Sequence, residues 1–206
     1  MYKKGSFFGI ENLKNVRVMV TLALFVSISI VTGKFLAISV GETLRFSFEN
    51  LTIILSGILF GPIPGAITGI VADLIGCILR GYAINPILTI GAMTIGFLSG
   101  VLYNLLKNTP SFLRIAISVF SAHLIGSVII KSFGLLIVSF DIKLNRLFFR
   151  LFFRLLLNNL PVVTTLIISR CANYAVVFVA EFIVIMLLMK NRGFINQINR
   201  IRGNRR

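Results

Sequence analysis

The chain has 206 residues, 57% of them hydrophobic and 13% charged, with a mean hydropathy of +0.97. Soluble domains run at about 45–50% apolar and about 25% charged, so a water-soluble fold is all but excluded. The excess of 21 basic over 6 acidic residues does not indicate nucleic acid, because most of the basic residues flank apolar segments instead of forming one soluble patch, the pattern of membrane topology.

A bilayer core needs about 20 predominantly apolar residues per helix, and the chain reads as one all-α, polytopic membrane domain over 16–190 with six transmembrane helices. A cytoplasmic N-terminal segment, 1–15, precedes helix 1 at about 16–40. Basic residues lie before that run as in a signal peptide, but it is too long and lacks a small-residue cleavage site. Helices 2 and 3, at about 48–60 and 64–80, are short, and Phe60-Gly61-Pro62-Ile63-Pro64-Gly65 forces a tight turn between them. Helix 4 follows at about 86–106, helix 5 at 112–139 and helix 6 at 163–189, with a basic cytoplasmic tail over 191–206.

Between helices 5 and 6, at about 140–160, Arg146, Arg150 and Arg154 recur every four residues among Leu and Phe. That spacing places them on one face of a helix lying in the outer interface. With both termini in the cytoplasm, the inner side holds Lys3, Lys4, Lys14, Arg17, Lys107, Arg114, Lys190, Arg192, Arg200, Arg202, Arg205 and Arg206. The outer side holds Arg45, Arg80, Lys143, Arg146, Arg150 and Arg154, half as many, and the positive-inside rule favours this orientation.

Helix contact in lipid depends on small residues that let backbones approach. Gly65-x-x-x-Gly69 leads to Asp73 on the same face of helix 3, which turns that carboxylate into the bundle, and Gly96-x-x-x-Gly100 repeats the pattern on helix 4. In helix 1, Ala23-x-x-x-Ser27 is a weaker small pair. Cys77 and Cys171 lack C-x-x-C spacing and read as buried small hydrophobes.

A charge at the bilayer centre costs about 2.5–3.5 kcal/mol on insertion scales, so such residues line polar cavities or pair. Lys34, Arg45, Arg80, Lys131 and Arg170, with Glu49 and Asp73, all fall in the outer half of the predicted bundle, and the inner half has only Glu181. A cavity of this balance opens outward and attracts an anion. Phe35, Phe46, Phe48 and Tyr82 offer rings for stacking, and Asn50, Asn85 and Asn173 offer two-way hydrogen bonds. Arg170 presents a bidentate fork for a carboxylate, with Asn173 one turn later. Asp73 is as well placed to partner Arg45 or Arg80 as to meet substrate.

There is no G-x-x-x-x-G-K-[ST] run for ATP phosphates, no H-E-x-x-H and no metal-ligand set. The one histidine, His123, lies in an apolar stretch and reads as packing. An enzyme, a cofactor and a metal site are therefore not expected.

Leu59-Phe60-Gly61-Pro62, then Gly69 and Asp73-Leu74-Ile75-Gly76, resembles the substrate-binding S components of energy-coupling factor vitamin transporters, and among them the folate family. The stretches Pro86 to Tyr103, Ile129 to Leu135 and Arg170 to Lys190 are also similar, so the likeness covers about 16–190. The resemblance implies a vitamin bound in an outward cavity closed by the loop between helices 1 and 2. It also implies association with a transmembrane coupling subunit and two cytoplasmic ATPases in a bacterial cell membrane. Ala23 and Ser27 would form the docking surface, with Ser27 where the family has a second alanine. Lys34, Lys131 and Arg170, with Arg45 beside them, would hold the carboxylates of a folate-like anion. Phe46 and Tyr82 would stack its ring, and Asn85 or Asn173 would read its edge. The family has a more aromatic, Gly-rich run where this chain has Arg80-Gly81-Tyr82-Ala83-Ile84-Asn85. Pantothenate is the nearest alternative ligand. A stand-alone secondary transporter relaying protons through Glu181 or Asp73 is the alternative from another class, and a membrane scaffold is a third.

Overall fold

The computed structural model describes residues 7–35, 38–40, 44–81, 83–132, 134 and 160–203. Among them the body is helical: α1 (Ile10–Leu13), α2 (Val16–Phe35), α3 (Glu49–Phe60), α4 (Pro62–Arg80), α5 (Pro86–Leu105), α6 (Ser111–Ala122), α7 (Leu160–Lys190) and α8 (Arg192–Ile201). α6 runs on into a π-helical segment, His123–Ile130. Val16–Gly33, Pro62–Leu79, Pro86–Leu105, Ser111–Ile130 and Asn173–Lys190 are long and apolar enough to cross a membrane, and α3 is a sixth, shorter apolar helix. The expected all-α membrane body is present. Only α3 is too short for a full span, since its 12 residues rise about 18 Å.

Two expectations need correction. Helix 1 does not run to 40: α2 stops at Phe35, and β1 (Ile38–Val40) pairs antiparallel with β2 (Leu44–Phe46), Ile38 opposite Phe46 and Val40 opposite Leu44. Apolar counting cannot separate a short strand from the end of a helix, and β-branched Ile38 and Val40 suit a strand. β2 rests against α7. Helix 5 is not uniform either, since its turns widen from His123 onward. The expected end of helix 5 at 135–139, the Arg146, Arg150 and Arg154 segment, and Tyr82 lie outside the described residues.

Glycine sets the central packing. A Cβ on Gly65 would lie 2.7 Å from Gly57 Cα, one on Gly69 would lie 2.7 Å from the Ala92 carbonyl carbon, and one on Gly100 would lie 2.7 Å from Pro62 N. One on Gly96 would strike the Gly65 carbonyl oxygen. α3, α4 and α5 therefore touch backbone to backbone, as the two G-x-x-x-G pairs predict. The α3–α4 turn needs Gly61 at φ 111°, a left-handed conformation that glycine adopts without a Cβ penalty, and Pro62 starts α4 where no intrahelical N–H is needed.

The two ends of the described chain converge under that turn. Asn12 Nδ2 donates to the Phe60 carbonyl at 2.6 Å, Asn104 Nδ2 to Phe7 at 2.9 Å, and Asn15 Nδ2 to Ile201 at 2.8 Å. The basic tail is thus partly folded: Asn191 caps α8 by accepting from Gly193 N and Phe194 N, and Ile198 is buried against the core.

Candidate functional site

At the end of the bundle away from the termini, α2, α3, α4, α5 and the end of the π-helical segment enclose a cavity. Its walls are Ser29, Ile30, Glu49, Ile53, Ala72, Asp73, Gly76, Cys77, Ala92 and Lys131. Its volume is about 30 Å³, room for about two water molecules.

Three charged side chains line it. Lys131, 8% exposed, places Nζ 3.6 Å from Glu49 Oε1, so a cation just past the π-helical segment meets a carboxylate at the start of α3. Gly91 makes room for the lysine, because a Cβ there would sit 2.7 Å from Lys131 Cγ. Asp73 Oδ2 accepts from Thr89 Oγ1 at 2.7 Å, tying α4 to α5. Ser29 Oγ donates to the Glu49 carbonyl at 2.7 Å and ties α2 to the same point. The lysine is the positive group at the cavity wall among the described side chains, and it is held by a carboxylate that an incoming anion would compete with.

The predicted site residues divide accordingly. Asp73 and Lys131 meet at the cavity. Asn85 stands apart as the N-cap of α5, accepting from Ile87 N at 2.9 Å and donating Nδ2 to the Gly134 carbonyl at 3.3 Å, so both ends of its amide are engaged. Asn173 is half-buried on α7 with its side-chain oxygen shielded from solvent. Lys34 ends α2, Arg45 and Phe46 belong to β2, and Arg170 belongs to α7, but their side chains lie outside the described residues, as do those of Phe35, Arg80 and Cys171. Tyr82 is outside altogether. Ala23 and Ser27 are exposed on α2, in one stripe with Val16, Met19, Val20, Leu24, Ile28 and Val31.

Sequence reasoning missed Ser29, Thr89 and Gly91, small or hydroxyl residues with no long-range signal of their own. It read Cys77 as simple packing, whereas this half-buried residue joins the cavity wall. It read His123 as packing, and the buried imidazole also makes a specific contact: His123 Nε2 lies 2.5 Å from Glu181 Oε2, with the side chains 3% and 0% exposed. A buried carboxylate and a buried imidazole pair here through one oxygen, which no local pattern announces across 58 residues.

A family model described as the substrate-specific component of ECF transporters matches residues 17–189. An uncharacterized MG098 homolog of Mycoplasma pneumoniae is 26% identical over 153 residues, 70% of this chain. The chain spans about a third of that relative's length, 31%. A crystal structure of FolT bound with folic acid superposes with a TM-score of 0.55 at 19% identity, over 80% of this chain and 89% of that one, which is a likeness of fold.

Proposed function

The chain belongs to the substrate-specific components of ECF transporters, and we propose that it binds folate or a related anionic vitamin in the cavity walled by Lys131, Glu49 and Asp73. It is a substrate-binding membrane component and not an enzyme. The observation that carries the ligand class is Lys131, a nearly buried cation at the cavity wall that lies 3.6 Å from the Glu49 carboxylate. A substrate carboxylate offers it an equivalent partner. The basic residues at 34, 45 and 170 would add to that attraction, and the fold shared with a folate-bound FolT supports the choice of folate. Ligand clefts run at about 300–1,000 Å³, so a vitamin must widen this cavity, beginning with the displacement of Lys131 from Glu49.

The reading places both termini in the cytoplasm of a bacterial cell and the cavity outside, following the twelve-to-six distribution of flanking cations. The chain has no phosphate-cradling loop, so uptake draws on a transmembrane coupling subunit with two ATPases. Their docking face would be the exposed α2 stripe around Ala23 and Ser27, where small residues admit a close helix. Ala23→Trp should abolish co-purification with the coupling subunit while vitamin binding persists. Undiminished co-purification would move the docking face elsewhere.

Calorimetric titration of the detergent-purified chain with folate, then pantothenate, tests the ligand. Saturable folate binding supports the reading, and pantothenate binding without folate replaces the vitamin. Binding of neither, with proton-driven uptake by this chain alone in vesicles, returns the secondary-transporter alternative.

A further inference from the structure

α7 is apolar nearly all round. Val176, Val179, Ile183 and Leu187 are exposed on it, while Val177 and Ile185 are buried. Lipid tails are as apolar as these side chains, so no hydrophobic force chooses which face of such a helix turns inward. Its rings do not decide the matter either. Phe178 and Phe182 meet Phe120 and Phe112 on α6 at centroid distances of 5.7 Å and 5.1 Å, and both α6 rings are more than half exposed. One charged residue, Glu181, lies between Arg170 and Lys190, and it is 0% exposed. A carboxylate facing hydrocarbon is strongly disfavoured, so this side chain has to face the bundle, and there it meets His123.

The histidine has its own footing. Its Nδ1 is 3.4 Å from Ser127 Oγ, and Ser127 Oγ is 3.5 Å from Asn50 Nδ2 on α3. His123, Ser127 and Lys131 follow one another at intervals of four along the widened turns, and all three are buried. The row begins at the pair and ends at the cavity lysine. Neither His123 nor Glu181 belongs to the cavity wall.

We propose that the His123–Glu181 pair is a positioning key: it fixes the rotation of α7 about its axis and, through the row His123, Ser127 and Lys131, the seat of the lysine at the cavity wall. Asn173 sits one turn before Val177 and two before Glu181 on the same side of the helix. A slip of one residue turns the helix by about 100°, enough to swing that side away. The proposal rests on the vitamin-binding reading for its consequence, though not for the rotation itself.

The rotation is read without ligand. In a chain with Cys77→Ser and Cys171→Ser, the pair Phe120→Cys and Phe178→Cys should be joined by a short thiol cross-linker, and adding Glu181→Leu should abolish the cross-link. For affinity, Glu181→Leu should weaken vitamin binding by at least about tenfold, a loss of about 1.4 kcal/mol, while the protein stays monodisperse. Glu181→Gln, which still hydrogen-bonds His123, should stay within about threefold of the parent. The exchanged pair, His123→Glu with Glu181→His, should restore both affinity and cross-link, which loss of packing alone does not predict. An unchanged cross-link in Glu181→Leu overturns the proposal, and so does a folded Glu181→Leu chain with unchanged affinity. If the parent chain binds neither vitamin, the ligand reading fails and the cross-link alone decides this one.

Discussion

Lys131→Met is expected to weaken binding of the folate-like anion about 10- to 100-fold, the loss of one charge-assisted hydrogen bond of about 1.5–3 kcal/mol. Methionine keeps the unbranched stem that runs past Gly91, so the change removes charge and leaves volume nearly intact. Glu49→Gln should act in the opposite direction. It frees Lys131 from the carboxylate 3.6 Å away and removes a negative charge from the cavity wall, so affinity should hold or rise. Titrations of both variants, with a thermal melt as a control on folding, separate the two roles. Equal affinity in the parent and Lys131→Met would remove the lysine from the site and leave the anion to the residues at 34, 45 and 170.

Gly96→Val is expected to destabilise the bundle by about 3 kcal/mol or more, at or above the upper end of the range for overpacked cores. A Cβ at that position strikes the Gly65 carbonyl oxygen and its carbon and lies 3.1 Å from Ala66 N. All three are backbone atoms of α4, and no rotamer change relieves the clash. The melt of the detergent-purified variant should shift far down or become broad and aggregated. Gly76→Ala is the matched control, because nothing lies within 4 Å of the added Cβ, and helical Gly→Ala at an unstrained site is neutral or mildly stabilising. A Gly96→Val protein that melts with the parent would mean that α4 and α5 do not cross at these residues.

The two glycine pairs show why some of this architecture is legible one residue at a time. Small residues four apart on an apolar helix have few purposes in lipid besides close approach, so Gly65, Gly69, Gly96 and Gly100 point to a crossing before any coordinate is known. Lys131 and Asp73 were legible as cavity residues for a related reason: a charge inside a membrane span has to find a polar place. The hairpin after α2 was not legible, since Ile38-Ser39-Val40 looks the same to an apolar count whether it ends a helix or begins a strand.

Composition, apolar length and the distribution of cations determined a helical membrane protein and are the ground for proposing an anion as its ligand, because each of these depends on transfer between water and hydrocarbon and is a property of single residues. Only the tertiary structure decided that Lys131 meets Glu49, that Gly91 clears the lysine's path, that Asn85 caps α5, and that His123 meets Glu181. Those are choices among partners distant in sequence. A charge states in the sequence that it needs a partner, but helix rotation and crossing distance select which one it meets.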